Sequence, residues 1–405
     1  MTRQPRVPRV LIVADDLTGA MDSAGPFAAL GIETWVAAVP MRCDPASLKS
    51  ARVVAVNTDT RHLPGPQAAL RVSEIVRHLG AGDFDIVVKK IDSTLRGNVV
   101  AETMALLEVS GRRAAVVAAA FPAQGRTVRG GIVHVDGMPL AQTAFAKDAL
   151  SPPPLAPLQQ GFAAAKPWLR VKAVAPSDAF DAQTDIWIAD SEIDADLVSI
   201  VKTLASRMNA VLMVGSAGLT RALGLVCFNG HPSPSVPQQV TGTIVFAVGS
   251  RAARSAEQVE SLAAEPDTKV LRAPNGRLQC TEIPVARNLV LKATADDAGR
   301  EGDAEHVAAD MARHAIEIAH RAQAQALVAT GGDTAIAILT ASDNPALQVL
   351  GDLMPGIPYA RIRLEGAPIW LVTKAGGFGG RETFREVARR LRAETAPSAS
   401  VERKG

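Results

Sequence analysis

The feature that most constrains this chain is a repeated unit: a short β-branched apolar run, a polar or glycine-containing turn, and a longer helix-compatible stretch. In the first half, such runs occupy residues 10–13, 53–56, 86–88, 115–118 and 210–214. Strands that are apolar throughout, rather than alternating, are typical of parallel sheets covered by helices on both faces. The pattern therefore predicts an α/β fold with mainly parallel sheets.

The same unit restarts in the second half, with apolar runs at 243–248, 326–329 and 369–373 and a helical stretch at 304–323. Between the halves, residues 229–237 are dense in proline and serine, as linkers are. Because single cores stop growing at about 250–300 residues, a chain of 405 residues predicts two domains. We place them at residues 1–228 and 241–405, joined by a linker at 229–240, with an active-site cleft between them.

The stretch of residues 152–176 interrupts this pattern in the first half. It begins with a run of prolines and continues as an alanine- and proline-containing stretch. We therefore expect an excursion or loop region of the first domain rather than another domain.

Composition and charge exclude several classes of partner. The net charge is +2 and no basic block is present, which argues against nucleic acid. The apolar run at 10–14 is too short for a signal peptide, and the longest apolar stretch, 114–123, is about half a bilayer span. The three cysteines are far apart, as in a reducing compartment. We expect a cytoplasmic protein with small-molecule ligands and no membrane partner; a homo-oligomer stays open.

Two adjacent carboxylates, Asp15 and Asp16, directly follow the first predicted strand. Strand carboxyl ends face the ligand crevice in open α/β sheets. One carboxylate of such a pair can act as a base toward a hydroxyl while the other binds a metal or a second hydroxyl. An aspartate at this point can equally be the N-cap of the next helix, and both interpretations stay open.

A second polar turn follows the strand at 86–88. Its candidate ligand-binding residues are Lys90, Ile91, Asp92, Ser93 and Arg96. Ammonium, guanidinium and hydroxyl groups together suit a polyhydroxylated carboxylate, although Ser93 or Thr94 could simply cap a helix. Arg61 follows another strand and would add a cation at the same edge. The turn at 121–127, which contains Arg126, is open between loop structure and ligand contact.

The second half offers glycine turns instead of charged ones. The candidate nucleotide-binding residues in these turns are Ser250, Gly331, Gly332, Asp333, Thr334, Gly376 and Gly377. Small residues let backbone N–H groups approach phosphate oxygens closely. Several such turns in one domain indicate a nucleotide, although a glycine at such a turn often serves only the backbone angles. Neither a P-loop nor a dinucleotide fingerprint is present, and no histidine spacing suits a metal, so metal ligands stay unassigned.

Taken together, these motifs resemble the four-carbon acid sugar kinase family. The matching segments are residues 14–20, 89–97, 121–127, 215–219, 331–334, 355–358 and 373–379. The resemblance implies an N-terminal sugar-acid-binding domain, a C-terminal nucleotide-binding domain, and phosphorylation of threonate, erythronate or 3-oxo-tetronate at the 4-hydroxyl. It also implies that Asp15 or Asp16, Arg61 and residues 90–93 contact the acid, while the glycine turns contact ATP.

The expected mechanism is in-line transfer from ATP, with Mg²⁺ bridging its phosphates. Arg61 and Lys90 would hold the acid's carboxylate and Asp16 or Asp15 would orient the 4-hydroxyl. Asp92 is the second candidate for the base, and Asp333 is a candidate contact to a metal or the ribose.

The chain departs from the family pattern at two places and leaves two alternatives. Arg251 and Ala252 stand where a small residue and serine are common, and Met354 stands where an acid is common. A nicotinamide-dependent sugar-acid dehydrogenase is the alternative enzyme, which the absent glycine fingerprint disfavours. A non-catalytic sugar-acid sensor is the alternative of another class.

Overall fold

The computed structural model describes residues 7–147, 152–228, 239–280, 282–296, 299 and 302–393. The predicted linker at 229–240 lies outside the described residues except for its last two positions. The chain divides into two compact units, Met1–Pro234 with Asn344–Ala360, and Ser235–Asp343 with Arg361–Gly405. The segment Asn344–Ala360, which the predicted boundary assigns to the second domain, thus belongs with the first unit.

Through residues 7–228, α-helices alternate with single strands or with runs of consecutive strands. The strands there are β1 (Val10–Ala14), β2 (Thr34–Ala37), β3 (Val53–Asn57), β4 (Ile86–Lys90), β5 (Ala114–Ala118), β6 (Arg126–Arg129), β7 (Ile132–Val135), β8 (Met138–Pro139), β9 (Val171–Val174), β10 (Ile186–Ala189) and β11 (Val211–Gly215). The α-helices are α1 (Leu17–Ala28), α2 (Gly65–Leu79), α3 (Val99–Val109), α4 (Leu158–Ala165), α5 (Asp194–Leu204) and α6 (Ala217–Cys227).

The alternation continues through residues 239–393. The strands are β12 (Ile244–Val248), β13 (Thr268–Pro274), β14 (Asn288–Thr294), β15 (Ala326–Thr330), β16 (Ala346–Met354), β17 (Ile357–Leu364) and β18 (Ala367–Lys374). The α-helices are α7 (Ala253–Ala263), α8 (Ala304–Arg321), α9 (Gly332–Ala341) and α10 (Thr383–Leu391). No helix in the described ranges is both long and apolar enough to cross a membrane.

The sheet of the first unit has the strand order β16-β2-β3-β1-β4-β11-β5-β10-β9. Its strands pair in parallel, except that β16 runs antiparallel to β2. Every residue of the central strand β1 is fully buried, as the unbroken apolar run predicted. From β1 the chain leads through α1 to β2 on one side, and from β4 through α3 toward β5 on the other. This divergence opens a crevice at the carboxyl ends of β1 and β4.

The second unit contains a parallel sheet of order β13-β14-β12-β15-β18. Its central strand β12 is also fully buried. Apart from β16 at the edge of the first sheet, both orders begin with the second, third, first and fourth strands of their α/β repeat. The point where the chain changes direction therefore lies between β12 and β15, and it is there that a ligand crevice is expected. The predicted α/β class with mainly parallel sheets is confirmed.

The stretch at 152–176 belongs to the first unit and is not another domain, as expected, but it is not a loop region. That stretch contains α4 and then β9, which pairs in parallel with β10 at the sheet edge. The helix is only eight residues long and buries only Leu158 and Phe162, so its apolar period is too short to stand out. The small antiparallel sheet of β6, β7 and β8 was likewise not anticipated.

The structure gives Cys43, Cys227 and Cys280 as free thiols. Cys43 is buried, whereas Cys280 is exposed.

Candidate functional site

At the crevice of the first unit, one arginine is paired with two carboxylates. Arg61, in the turn after β3, donates from Nε to Asp15 Oδ2 and from Nη2 to Asp15 Oδ1, both at 2.9 Å. Its Nη1 donates to Asp16 Oδ2 at 2.6 Å. Burial raises the pKa of Asp15, but the charges of Arg61 and Lys89 outweigh it and hold that pKa below its usual value. Asp15 is therefore ionised and bound on both oxygens by Arg61.

Asp16 differs from its neighbour because it begins α1. Its Oδ1 accepts from the Gly19 N–H at 2.7 Å and its Oδ2 from Thr18 Oγ1 at 2.6 Å, which makes it the N-cap. Its side chain is 15% exposed, against 4% for Asp15. The capping role is thus present, and Asp16 is also the member of the pair that a ligand reaches more easily.

Two adjacent lysines end β4, and successive side chains of a strand point to opposite faces. Lys89 Nζ forms an ion pair with Glu102 Oε2 at 2.8 Å, and both side chains are 1% exposed. Burial raises the pKa of Glu102, with Lys89 opposing it. Lys90 is also buried, but its ammonium makes no hydrogen bond or ion pair with any residue of the described ranges. Lys89 is therefore structural and Lys90 is an uncommitted cation.

The ammonium of Lys90 faces the Asp16 carboxylate across a glycine. A methyl group placed on Gly19 would lie 2.5 Å from Asp16 Oδ1 and 3.3 Å from Lys90 Nζ. The missing side chain at Gly19 is what lets these two opposite charges approach the same point of the α1 backbone.

The turn after β4 is closed by Asp92. Its carboxylate accepts from Arg96 Nε at 3.0 Å and Arg96 Nη2 at 2.9 Å, and also from Thr94 Oγ1. Burial raises the pKa of Asp92, but Arg96 and then Arg61 hold it well below its usual value. Ser93 lies partly exposed in this turn, whereas the Ile91 side chain is buried in the core. Asp92 therefore shapes the turn and orients Arg96.

Arg126 lies at the start of β6. The sequence left its turn, residues 121–127, open between loop structure and ligand contact and did not predict Arg126 as a site residue. Burial lowers its pKa, and the charges of Asp136 and Asp92 oppose that effect. The guanidinium lies 5.6 Å from the centre of the Phe145 ring. No carboxylate of the described residues lies within ion-pair distance of Arg126. Because Arg126 and Asp92 are far apart in the sequence, the spacing of residues alone did not predict that they interact.

Two half-buried acids interact at α1: Asp22 within the helix and Asp352 in β16. Burial, reinforced by the charge of Asp22, raises the pKa of Asp352 to about 8, and burial raises that of Asp22 to about 6. Arg221 opposes both shifts. Asp352 Oδ1 has no hydrogen-bond partner among the described residues. Asp352 lies in β16, two residues before Met354. Position 354 is the one at which an acid is common in the family pattern.

In the second unit, the predicted glycine turns converge at the carboxyl ends of β12, β15 and β18. A methyl on Gly331 would lie 3.6 Å from Ser250 Cβ, and one on Gly376 would overlap the Ser250 hydroxyl. The N–H of Gly331 donates to Lys374 O at 3.0 Å. Ser250 is thus the point where the turns meet.

The remaining candidates of the second unit lie at the start of α9 and in the turn after β18. Gly332 is the first residue of α9, Asp333 is exposed in its first turn, and Thr334 is buried. Gly377 is exposed beside the half-buried Gly376. Of the two departures after Ser250, Ala252 is the N-cap residue of α7. Arg251 donates to Gly302 O at 2.8 Å.

Among the residues the structure describes, no group of three or more histidine, cysteine, aspartate or glutamate side chains could hold a metal ion. The first unit has carboxylates and the Lys90 ammonium at one edge of its sheet, and the second unit has converging glycine turns. This combination is typical of two-domain α/β enzymes that pair a site for a polar acid with a site for a nucleotide.

Comparison with known proteins agrees with this class. Residues 10–223 match the family profile described as a sugar-binding N-terminal domain, and residues 245–384 match the one described as a nucleotide-binding C-terminal domain. The chain belongs to the four-carbon acid sugar kinase family.

Individual relatives match along nearly the whole chain. A D-threonate kinase of Cupriavidus necator is 33% identical, over 96% of this chain and 99% of its own length. A 3-oxo-tetronate kinase of Methylobacterium radiotolerans is 30% identical, over 92% and 96%. A solved structure from Salmonella typhimurium, provisionally described as a tRNA synthase, shares 19% identity at a TM-score of 0.72, over 94% of this chain and 99% of that one. The last likeness concerns the fold alone. None of these similarities favours a dehydrogenase or a sensor.

Proposed function

We propose that this protein is an ATP-dependent kinase that phosphorylates the 4-hydroxyl of a four-carbon acid sugar, namely threonate, erythronate or 3-oxo-tetronate. The observation that carries the proposal is the meeting of the Asp16 carboxylate and the Lys90 ammonium at Gly19. An acid sugar presents an anion for the ammonium and a hydroxyl for the carboxylate. The names of the relatives, D-threonate kinase and 3-oxo-tetronate kinase, support this substrate class.

The substrate carboxylate is assigned first to Lys90, because its ammonium has no ion-pair partner among the described residues. Arg126, which has no carboxylate partner there either, supplies a second cation, and Arg96 and Ser93 border the same turn. Arg61 takes a different role from the one expected from the sequence. Since Asp15 and Asp16 bind its guanidinium, it positions the acid pair instead of leading substrate binding.

The 4-hydroxyl is assigned to Asp16, which accepts its hydrogen bond and takes its proton as the oxygen attacks the γ-phosphorus of ATP. The new bond forms between O4 and phosphorus, and the bond from phosphorus to the departing ADP oxygen breaks. Asp15 stays ionised and keeps Arg61 and Asp16 in place. We do not assign Asp92 as the base, because Arg96 binds both of its carboxylate oxygens, whereas Arg61 binds only one oxygen of Asp16.

The nucleotide is assigned to the turns that meet at Ser250. Gly376 brings the backbone of its turn directly against that hydroxyl. Because glycine has no side chain, a phosphate can approach this backbone closely. Gly331 and Gly332 bring the N-terminus of α9 to the same place, Gly377 lies exposed next to it, and Thr334 packs behind. Asp333 would contact the ribose or a metal. Mg²⁺, when bound with ATP, would neutralise charge on the phosphate oxygens.

Turnover tests the proposal directly. ADP release is measured with ATP, Mg²⁺ and a panel containing D- and L-threonate, D-erythronate and 3-oxo-tetronate. We expect turnover with at least one acid, and a fall in kcat of about 10²–10⁴-fold in Asp16→Asn, because general-base catalysis contributes on that order. Asp44→Asn is the matched control, since Asp44 also caps a short helical turn but is exposed elsewhere in the first unit.

Two outcomes would contradict the proposal. If no acid is turned over while MgADP still binds, the substrate class is wrong. If Asp16→Asn keeps full activity, Asp16 is not the base.

A further inference from the structure

The glycine turn that follows β18 is held by a buried lysine. The side chain of Lys374 is only 1% exposed. Its Nζ donates to Ala375 O at 2.7 Å, to Gly376 O at 3.0 Å and to Phe378 O at 3.0 Å. An ammonium has three hydrogens to donate, so these three carbonyls use all of them.

Two side chains of α7 hold the same turn. Ser255 Oγ donates to Gly376 O at 2.8 Å, and Gln258 Nε2 donates to Phe378 O and Gly380 O, both at 2.9 Å. Both side chains are fully buried. The carbonyls of the turn are therefore drawn toward the interior of the second unit.

Inward carbonyls imply outward N–H groups, because the C=O and N–H of a planar trans peptide point in opposite directions. The N–H groups paired with the three carbonyls of Lys374 belong to Gly376, Gly377 and Gly379. None of them donates to another residue of the described ranges. Successive N–H groups that point the same way form a site for an anion, and Gly376 places this one beside Ser250.

We propose that Lys374 is a positioning residue for the nucleotide: its charged ammonium turns the 375–380 backbone so that the N–H groups face the phosphates, and loss of its proton weakens nucleotide binding. The proposal rests on the proposed nucleotide site. A neutral amine has two hydrogens and can serve only two of the three carbonyls, so deprotonation frees one carbonyl and loosens the turn.

The surroundings place this switch in an accessible pH range. Burial, and then the charge of Arg254 on α7, lower the pKa of Lys374 to about 7. Arg254 is itself paired with Glu257 at 2.6 Å, and α10 presents the uncharged ring of Phe384, 5.5 Å from Nζ. Phosphates bound at the turn favour the ammonium, so nucleotide binding above pH 7 takes up a proton.

Calorimetry tests this with the full chain. MgADP is titrated at pH 8, where its phosphates are already ionised, in two buffers of different ionisation enthalpy. We expect the wild type to take up nearly one proton for each MgADP that binds. Its affinity for MgADP should fall by up to about tenfold per pH unit above pH 7. At pH 6.5, Lys374→Met should bind MgADP at least about tenfold more weakly than the wild type does. It should show no proton uptake.

Three variants separate positioning from simple structural support. Lys374→Arg keeps the charge at all these pH values, so it should restore binding at pH 6.5 without the alkaline loss. Gln258→Leu removes two hydrogen bonds from the same turn but no charge, so it should weaken binding and keep the pH dependence. Lys269→Met, at an exposed lysine of β13, should bind as the wild type does.

Each possible result counts for or against the idea. If the wild type binds no MgADP at any pH, the proposed nucleotide site itself fails. If it binds without proton uptake, or if Lys374→Met takes up the same proton, the role of Lys374 is overturned. Should Lys374→Met not fold, Lys374→Arg decides: a lost pH dependence supports the role, and a retained one overturns it.

Discussion

Neighbouring residues of the same type acquire different tasks in this protein because their surroundings differ. Asp15 is bound on both oxygens by Arg61, whereas its neighbour Asp16 caps α1 and is more exposed. Lys89 is paired with Glu102 in the core, whereas Lys90 has no such partner among the described residues. At the residue scale, then, burial and pairing separate a structural member of each pair from the member that we propose binds the substrate.

The two lysines provide a matched pair of substitutions. Lys90→Met should raise KM for the acid sugar by about 10–100-fold, because it removes a charge-assisted contact worth about 1.5–3 kcal/mol, and should leave stability nearly unchanged. Lys89→Met should instead lower the free energy of unfolding by about 3–5 kcal/mol, since it leaves Glu102 buried without its partner. Steady-state kinetics and urea unfolding measure both. Equal effects of the two variants on KM would contradict the division of roles.

At the scale of a single element, α1 connects the site to the core. Its N-cap is Asp16, its first turn contains Gly19, and its later turns contain Asp22 and Gly25. A methyl on Gly25 would overlap the carboxylate of Asp352 in β16. The glycines of this helix are therefore required by close contacts with carboxylates, and helix propensity alone would not favour them.

Alanine substitutions in α1 should run against helix propensity, which by itself predicts a gain of about 0.5–1 kcal/mol for each change. Gly19→Ala should lower kcat strongly and also cost about 1 kcal/mol of stability, because the methyl displaces the Asp16 carboxylate that caps the helix. Gly25→Ala should destabilise the protein, because its methyl meets the Asp352 carboxylate. Gly161→Ala in α4 is the control: its nearest contact, 3.4 Å to Val100, is ordinary, so it should be neutral or stabilising. Urea midpoints that rise for all three would contradict this account.

At the scale of the whole molecule, buried ionisable groups make stability depend on pH in opposite directions. The pKa of Asp15 and that of Asp92 are lowered, so the stability they contribute is lost as pH falls. The pKa of Asp352 is raised from 3.8 to about 8 and that of Asp22 to about 6. For these two, the folded state holds the proton more tightly than the unfolded state, so stability falls as pH rises through the interval between the two values.

Asp352→Asn should remove most of that alkaline loss, because asparagine resembles the neutral acid in shape and carries no charge. Urea unfolding of the wild type should show stability falling between pH 5 and pH 8. The variant should show a flatter profile and exceed the wild type at pH 8 by about 1–2 kcal/mol. This is below the maximum for one group from pH 5 to pH 8, since each pH unit can contribute at most about 1.4 kcal/mol. Parallel profiles for the two proteins would show that Asp352 is not protonated in the folded state at neutral pH.

The local pattern of the sequence was enough to predict most of the parallel strands and the placement of polar and glycine turns at their carboxyl ends. It determined these features because a buried parallel strand requires an unbroken apolar run, and a βα turn requires small or polar residues, whatever the distant parts of the chain do. It failed at 152–176, where α4 and β9 are too short to show a period.

Only the tertiary structure decided which charges meet. It paired Arg61 with Asp15 and Asp16, directed Lys89 into the core, and brought Asp352 against α1. Such contacts join residues far apart in sequence, and strand register and burial determine whether a charge is neutralised or left for a ligand. Sequence alone therefore determined the α/β layers and the edge that bears the polar turns. The tertiary structure determined which charged side chains are paired with one another.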